Sequence, residues 1–131
     1  MRRTGFTLIE LLIVMAMIGL LATIAIPRLA NTKGRAQLAT MKSDLRNLVT
    51  VEENYFSENA KYTTSLGAGY AASTGNNMPT ITLTADGWTA SITSPNTTQT
   101  CAVFVGSTPL APATTEGAPA CGKASTTTPL P

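Results

Sequence analysis

The sequence predicts an α+β protein: one long N-terminal helix, apolar in its first half and amphipathic in its second, packed on a small antiparallel β-sheet. Three observations predict it. Residues 6–26 form an apolar run whose only charge is Glu10. Residues 38–55 carry apolar side chains at helical spacing. The segment TITLTADGWTASIT alternates apolar and polar residues on both sides of an Asp-Gly pair.

The apolar run comes first. Its uncharged part, LLIVMAMIGLLATIAI, covers residues 11–26. Taken from Phe6, it makes about 31 Å of helix, which matches a bilayer core of about 30 Å. A secretory signal has an apolar region of roughly 7–15 residues and an A-x-A-like cleavage site. This run is longer and no good site of that kind follows, so a cleaved signal is the lesser alternative. Pro27 ends the uninterrupted run and is expected to kink or weaken the helix over the preceding turn. Arg28, Lys33 and Arg35 follow as a basic collar, with Gly34 a weak point between them.

The amphipathic half comes next. Leu38, Met41, Leu45, Leu48, Val51 and Tyr55 recur three or four residues apart, which draws one stripe on a helix of 3.6 residues per turn. Lys42, Asp44, Arg46, Glu52 and Glu53 are read as the opposite, solvated face. The helix is expected to end between Ser57 and Ala60. Residues 63–79 are rich in Gly, Ser, Asn and Ala and read as a loop.

The sheet follows. Asp86-Gly87 signals a two-residue hairpin. Folding there sets Ala85 opposite Trp88, Leu83 opposite Ala90 and Ile81 opposite Ile92. All six then share one face, and Thr82, Thr84, Thr89, Ser91 and Thr93 share the other. The helix stripe is the surface available to cover the apolar face. A third strand is expected over Cys101–Gly106, and the Pro-broken tail ending STTTPLP reads as surface chain.

Composition narrows the function. The chain has 9 Lys+Arg, 7 Asp+Glu and no His. Without Arg2 and Arg3 the acids and bases balance, so the basic pI is poor evidence for a nucleic-acid surface. Cys101 and Cys121 lie in the Thr-, Ser- and Pro-rich C-terminal half. They fit no zinc spacing, and a disulfide in an oxidising compartment is a better reading than two free thiols. No nucleophile elbow or phosphate loop is present, so catalysis is not expected. No metal or cofactor is expected either; after Glu58 the carboxylates are Asp86 and Glu116, few for a calcium site. Basic residues flank both ends of the apolar run, so they do not orient it. The cysteines and the charge-poor domain put the C-terminal part outside.

Glu10 is the anomaly. A charge at the centre of a membrane helix costs roughly 2.5–3.5 kcal/mol. Its attraction to the helix dipole is worth roughly 0.3–1 kcal/mol, too little to explain the choice alone. The segment MRRTG followed by FTLIELLIVMAMIGLLATIAIP closely resembles type IV pilins and their pseudopilin relatives. The resemblance lies in Gly5 before Phe6, Glu10 four residues after Phe6, then Gly19 and Pro27. It is strong over residues 1–57 and general beyond them.

The resemblance implies a prepilin leader, residues 1–5, cut between Gly5 and Phe6 by a membrane prepilin peptidase that then N-methylates Phe6. It implies residues 6–27 as the transmembrane and filament-core half of the helix, 28–58 as the amphipathic half, and 59–131 as the β-sheet head with a cysteine-closed loop. Subunits move from the inner membrane, C-terminus outside, through the pilus assembly machinery into a homopolymeric helical filament on the cell surface. Glu10 docks each subunit by meeting the Phe6 amine of another, so that each buried charge is paired. Gly19 and Pro27 mark a stretch able to melt on assembly. The alternatives are a type II secretion pseudopilin and a signal-anchored domain that does not assemble. Asn96-Thr97-Thr98 is a possible glycosylation sequon.

Overall fold

A computed structural model describes Met1 and residues 5–123. Residues 2–4 of the leader, with Arg2 and Arg3, and the tail 124–131 lie outside the described residues. The order of elements is helix α1 (Leu8–Asn59), a short 3-10 turn (Gly67–Gly69), β1 (Thr80–Leu83), β2 (Trp88–Ile92), β3 (Gln99–Val105) and β4 (Ala120–Lys123). One helix and one four-stranded antiparallel sheet make an α+β arrangement of the pilin kind. The chain divides into two compact units, Met1–Lys33 and Gly34–Pro131.

Among the described residues of the first unit, the helix has none that is buried. An 18-residue window apolar enough to cross a membrane has no buried residue, and Leu20, Ile24 and Ile26 are all more than half exposed. The helix runs through both Gly19 and Pro27. Pro27 has no N–H, so the Thr23 carbonyl loses its usual helical donor, and Thr23 turns its hydroxyl onto the Leu20 carbonyl at 2.7 Å.

In the second unit the helix packs on the sheet as the stripe predicts. Met41, Leu45 and Leu48 meet Trp88, Ala90 and Ile92 of β2 and Cys101 and Val103 of β3, with Leu38 and Val51 packed at the margin. The helix stops at Asn59. Ala60 turns to a positive φ of 55° while its N–H still reaches the Phe56 carbonyl at 2.7 Å. A left-handed residue just past the last turn satisfies an otherwise orphaned carbonyl.

The charged face is corrected by the structure. Asp44 and Glu52 are 2% and 0% exposed and belong to the interior. At 3.6 residues per turn, positions 41, 44, 45, 48 and 52 fall on one side of a helix. Charge suggested the solvated face, but position placed them inside. Asp44 holds the loop that follows α1. Its carboxylate accepts from the Ser73 N–H at 3.0 Å, the Ser73 hydroxyl at 2.6 Å and the Asn76 amide at 2.6 Å, and its backbone carbonyl accepts from the Tyr70 hydroxyl at 3.0 Å. Glu52 accepts from the Thr63 N–H at 3.1 Å.

The hairpin is also corrected. The observed partners are Ile81 with Ala90 and Leu83 with Trp88, two residues away from the expected register. A two-residue I′ turn needs positive φ at both central residues, and neither Asp86 nor Gly87 has it. The loop instead spans Thr84–Gly87, closed by the Thr84 N–H on the Gly87 carbonyl at 2.9 Å. Gly87 is required by proximity: a Cβ there would overlap the Val105 carbonyl oxygen. A shift of two keeps each side chain on its face, so Trp88, Ala90 and Ile92 still reach the core. Ala85 leaves the strand, and Leu83 is 46% exposed.

β3 begins two residues earlier than expected, and β4 was not anticipated at all. The second strand face is not purely polar: Ala102, Phe104 and Ala113 form a smaller cluster with Leu110 and Ala120. Cys101 and Cys121 are direct partners across β3 and β4, bridged by a disulfide with Cα atoms 4.0 Å apart.

Candidate functional site

The residues singled out at the N-terminus gather around the first turn of α1. Gly5 is exposed, with open space where a side chain would stand, and Phe6 is 82% exposed. Thr7 and Glu10 hydrogen-bond reciprocally. The Thr7 N–H and hydroxyl donate to one Glu10 carboxylate oxygen at 2.9 and 2.8 Å, and the Glu10 N–H donates to the Thr7 hydroxyl at 3.3 Å. This is a capping box, in which a Thr and a Glu three residues on satisfy each other's orphan backbone donors. The carboxylate is therefore already hydrogen-bonded within its own chain. Sequence reasoning missed Thr7, although Thr-x-x-Glu before an apolar run is a readable signature. One edge of that carboxylate is taken by Thr7, while the residue around it stays exposed.

The remaining predicted positions lie elsewhere. Gly19 has open space around it. Asn96 is exposed in the turn between β2 and β3, its N–H donating to the Ser94 hydroxyl at 3.2 Å. The Cys101–Cys121 bridge sits in the second unit, far along the chain from Glu10. Among the described residues no cluster of three or more His, Cys, Asp or Glu has the arrangement of a metal site.

The second unit has polarised ends. Asp86 and Glu116 accept from consecutive backbone donors, the Ser107 N–H at 2.8 Å and the Gly106 N–H at 2.7 Å. Ser107, through its side chain and its N–H, holds the Asp86 carboxyl below the usual range. The Tyr62 hydroxyl donates to Glu53 at 3.0 Å, and its ring stacks on Phe56 with centroids 4.6 Å apart. Burial, then Glu53 and the other nearby carboxylates, raise the Tyr62 hydroxyl. Burial raises Glu52, against the Thr63 N–H, which lowers it. Tyr70 is pushed up to about 12 by burial and then by Asp44, so it stays a donor.

A family model, the prokaryotic N-terminal methylation motif, matches residues 1–26. Among curated relatives, the type IV major pilin protein PilA of Myxococcus xanthus is 42% identical over 76 residues, 57% of this chain and 34% of that protein. The type IV wide pilus major component PilA4 of Thermus thermophilus is 42% identical over 64 residues, 49% of each chain. The type II secretion system core protein G of Klebsiella pneumoniae is 34% identical over 64 residues, 49% of this chain and 46% of that protein. The matched stretch thus spans between a third and a half of these relatives' own length. The chain carries the prokaryotic N-terminal methylation motif. Its N-terminal half is similar to type IV pilins and to a type II secretion core protein.

Proposed function

We propose that the chain is the structural subunit of a type IV pilus. The observation that carries this reading is the joining of the methylation motif to an apolar helical segment in whose membrane-length window no residue is buried. A peptidase cut after Gly5 frees the Phe6 amine and removes Arg2 and Arg3, which would be costly inside an apolar filament core. Phe6 is then methylated. The segment 6–27 lies first in the inner membrane, C-terminus outside, and then in the filament core. The region 28–58 continues as the amphipathic half, and 59–131 supplies the head. Glu10, already capped by Thr7, meets the amine of a neighbouring Phe6 so that neither charge is buried alone. Gly19 and Pro27 supply a stretch able to loosen on assembly, and Asn96 is an exposed acceptor for glycan. Partners are further copies of the chain, the prepilin peptidase and the assembly machinery.

The test is electron microscopy of sheared surface filaments with mass analysis of their subunit. Filaments built of a chain beginning at methylated Phe6 are expected. A chain beginning at Met1, or cut near Ala25, would defeat the reading. The likeness to a type II secretion core protein gives a second reading, a short periplasmic filament. Under that reading the processed chain is retained in the envelope and surface filaments are missing at native expression.

A further inference from the structure

The second unit carries complementary features at its two ends. Arg35, Lys42 and Arg46 occupy the early part of its helix, and at 3.6 residues per turn they share one side. Lys123 lies at the same end, since it pairs with Gln99 beyond the disulfide, and the Cys121 sulfur lies 4.0 Å from the Leu38 carbonyl. The carboxylate at this end, Asp44, is buried and hydrogen-bonded, so the exposed charge there is positive. Glu53 and Glu58 occupy the late part of the helix, and Asp86 and Glu116 flank the Gly106–Ser107 turn beside it. Lys61 is the exception at this end, which is otherwise negative.

Apolar surface follows the same polarity. Among the described residues of this unit, the exposed large apolar side chains are Phe56, Met78 and Leu83. Phe56 and Leu83 line a pocket of about 390 Å³ at the acidic end, with Lys61, Tyr62 and Asp86. Met78 stands at the basic end, next to Asn77, whose N–H donates to the Thr93 carbonyl at 2.9 Å, at the end of β2 remote from the hairpin loop. Methionine is flexible and polarisable and packs well against aromatic rings.

We infer that the two ends are a heterologous self-docking pair: the basic end of one copy, with Met78, seats on the acidic end of the next copy, with Met78 entering the Phe56–Tyr62–Leu83 pocket. Opposed charges and a matched apolar knob and pocket favour a second copy of this chain as occupant. A face that docks onto a different face propagates into an open polymer, whereas a self-complementary face closes at a dimer. The inference rests on the filament reading and specifies which surfaces the heads use.

Cysteine trapping in the full chain tests the contact. The native cysteines are both bridged and leave no free thiol. Met78→Cys with Leu83→Cys cannot bridge within one copy, because five residues of extended chain put them about 17 Å apart. Mild oxidation of sheared filaments should give a ladder of linked subunits, with either single variant giving none beyond a dimer. Charge reversal supplies the second arm. Glu53→Lys with Glu58→Lys should cut filament yield by roughly tenfold or more, and adding Lys42→Glu with Arg46→Glu should restore most of it. Protease resistance of the head and an intact Cys101–Cys121 bridge verify folding in each variant. Filaments that assemble without a ladder, or reversal without loss or without rescue in folded protein, would refute the docking pair and leave the pilin reading standing. No filaments from the wild-type chain would refute both.

Discussion

Ile24 and Leu48 are apolar residues of one helix, yet Ile24 is 61% exposed and Leu48 is 0% exposed. The difference lies in what surrounds them in sequence. Across residues 11–26 no position is charged and only Thr23 is polar, so no face is reserved for water and none for a partner strand; such a helix suits a lipid or a bundle of its own kind. Around Leu48 the apolar positions recur at one angle, and a sheet of the same chain covers them. A helix can thus be written for an environment or for a fold, and here both are written in succession. Substitutions in the first segment should change where the protein goes, and substitutions in the second should change whether it folds.

The largest expected effect belongs to Glu10. Breaking one side of a buried ion pair costs about 3–5 kcal/mol, repeated at each subunit of a polymer. The capping box adds a control that sequence alone did not suggest. Glu10→Ala removes both the charge and the partner of Thr7. Glu10→Gln removes the charge but can keep the cap, since Gln serves in the same role. If pairing with Phe6 governs assembly, both variants should be processed normally and both should lose filaments, measured as sheared subunit against membrane-held subunit. Filaments from Glu10→Gln but not from Glu10→Ala would assign the residue to capping instead.

The core substitution comes next. Leu48→Ala should destabilise the head by about 2–5 kcal/mol through lost burial and a residual cavity. Ile24→Ala should leave head stability unchanged, because that side chain is 61% exposed and belongs to neither core cluster. Urea unfolding of the processed full chain in detergent, followed by Trp88 fluorescence, compares the two. Equal losses would mean that the first segment is packed against its own protein after all.

Removing the disulfide should weigh slightly less. Cys101→Ser with Cys121→Ser opens a loop of 20 residues' separation, for which the chain-entropy account gives roughly 3 kcal/mol. Cys101 is fully buried, so part of the loss would be packing. The same unfolding assay, with and without reductant on the native chain, separates the two contributions: reduction removes the bond and keeps the sulfurs in place.

Much of the architecture was legible because periodicity and punctuation are local. The apolar run, the stripe from Leu38 to Tyr55 and the alternation around Trp88 each needed only their own residues. What failed needed distant ones. The hairpin register depends on Val105 and Ser107, which crowd Gly87 and hold Asp86, and nothing within residues 80–92 announces them. β4 is only four residues long, contains a glycine and becomes a strand because Cys121 is held against Cys101. Asp44 and Glu52 were misjudged for a different reason. Their helical angle points inward while their charge points to solvent, and the angle decides. The role of Thr7 is written in its spacing from Glu10, a signal masked by the charge of Glu10.

Glu52 gives the smallest effect and the sharpest contrast with Glu10, since both are acids amid apolar residues of α1. Burial raises the Glu52 carboxyl above its ordinary value of 4.5, so the folded state disfavours its charged form. The sign follows from linkage. Below the unfolded value the group is neutral in both states and does not oppose folding. As pH climbs from 4.5 through the raised folded value, the unfolded chain releases the proton more readily, and stability falls. Asp86 acts in the opposite sense and in a lower window: its lowered value means that its contribution is lost as pH drops from 3.8. Between mildly acidic and neutral pH the Glu52 slope therefore stands apart from that of Asp86. Glu52→Gln keeps an acceptor for the Thr63 N–H and removes the charge. Its stability should vary less with pH across that window than the wild type's, and at neutral pH it should equal or exceed it by about 1 kcal/mol. Urea midpoints at closely spaced pH values, with the two chains compared at each, read the difference directly. A variant that keeps the wild-type slope would assign the pH dependence to other groups, and one that unfolds more easily at every pH would show that the carboxylate's hydrogen bond outweighs the cost of its burial.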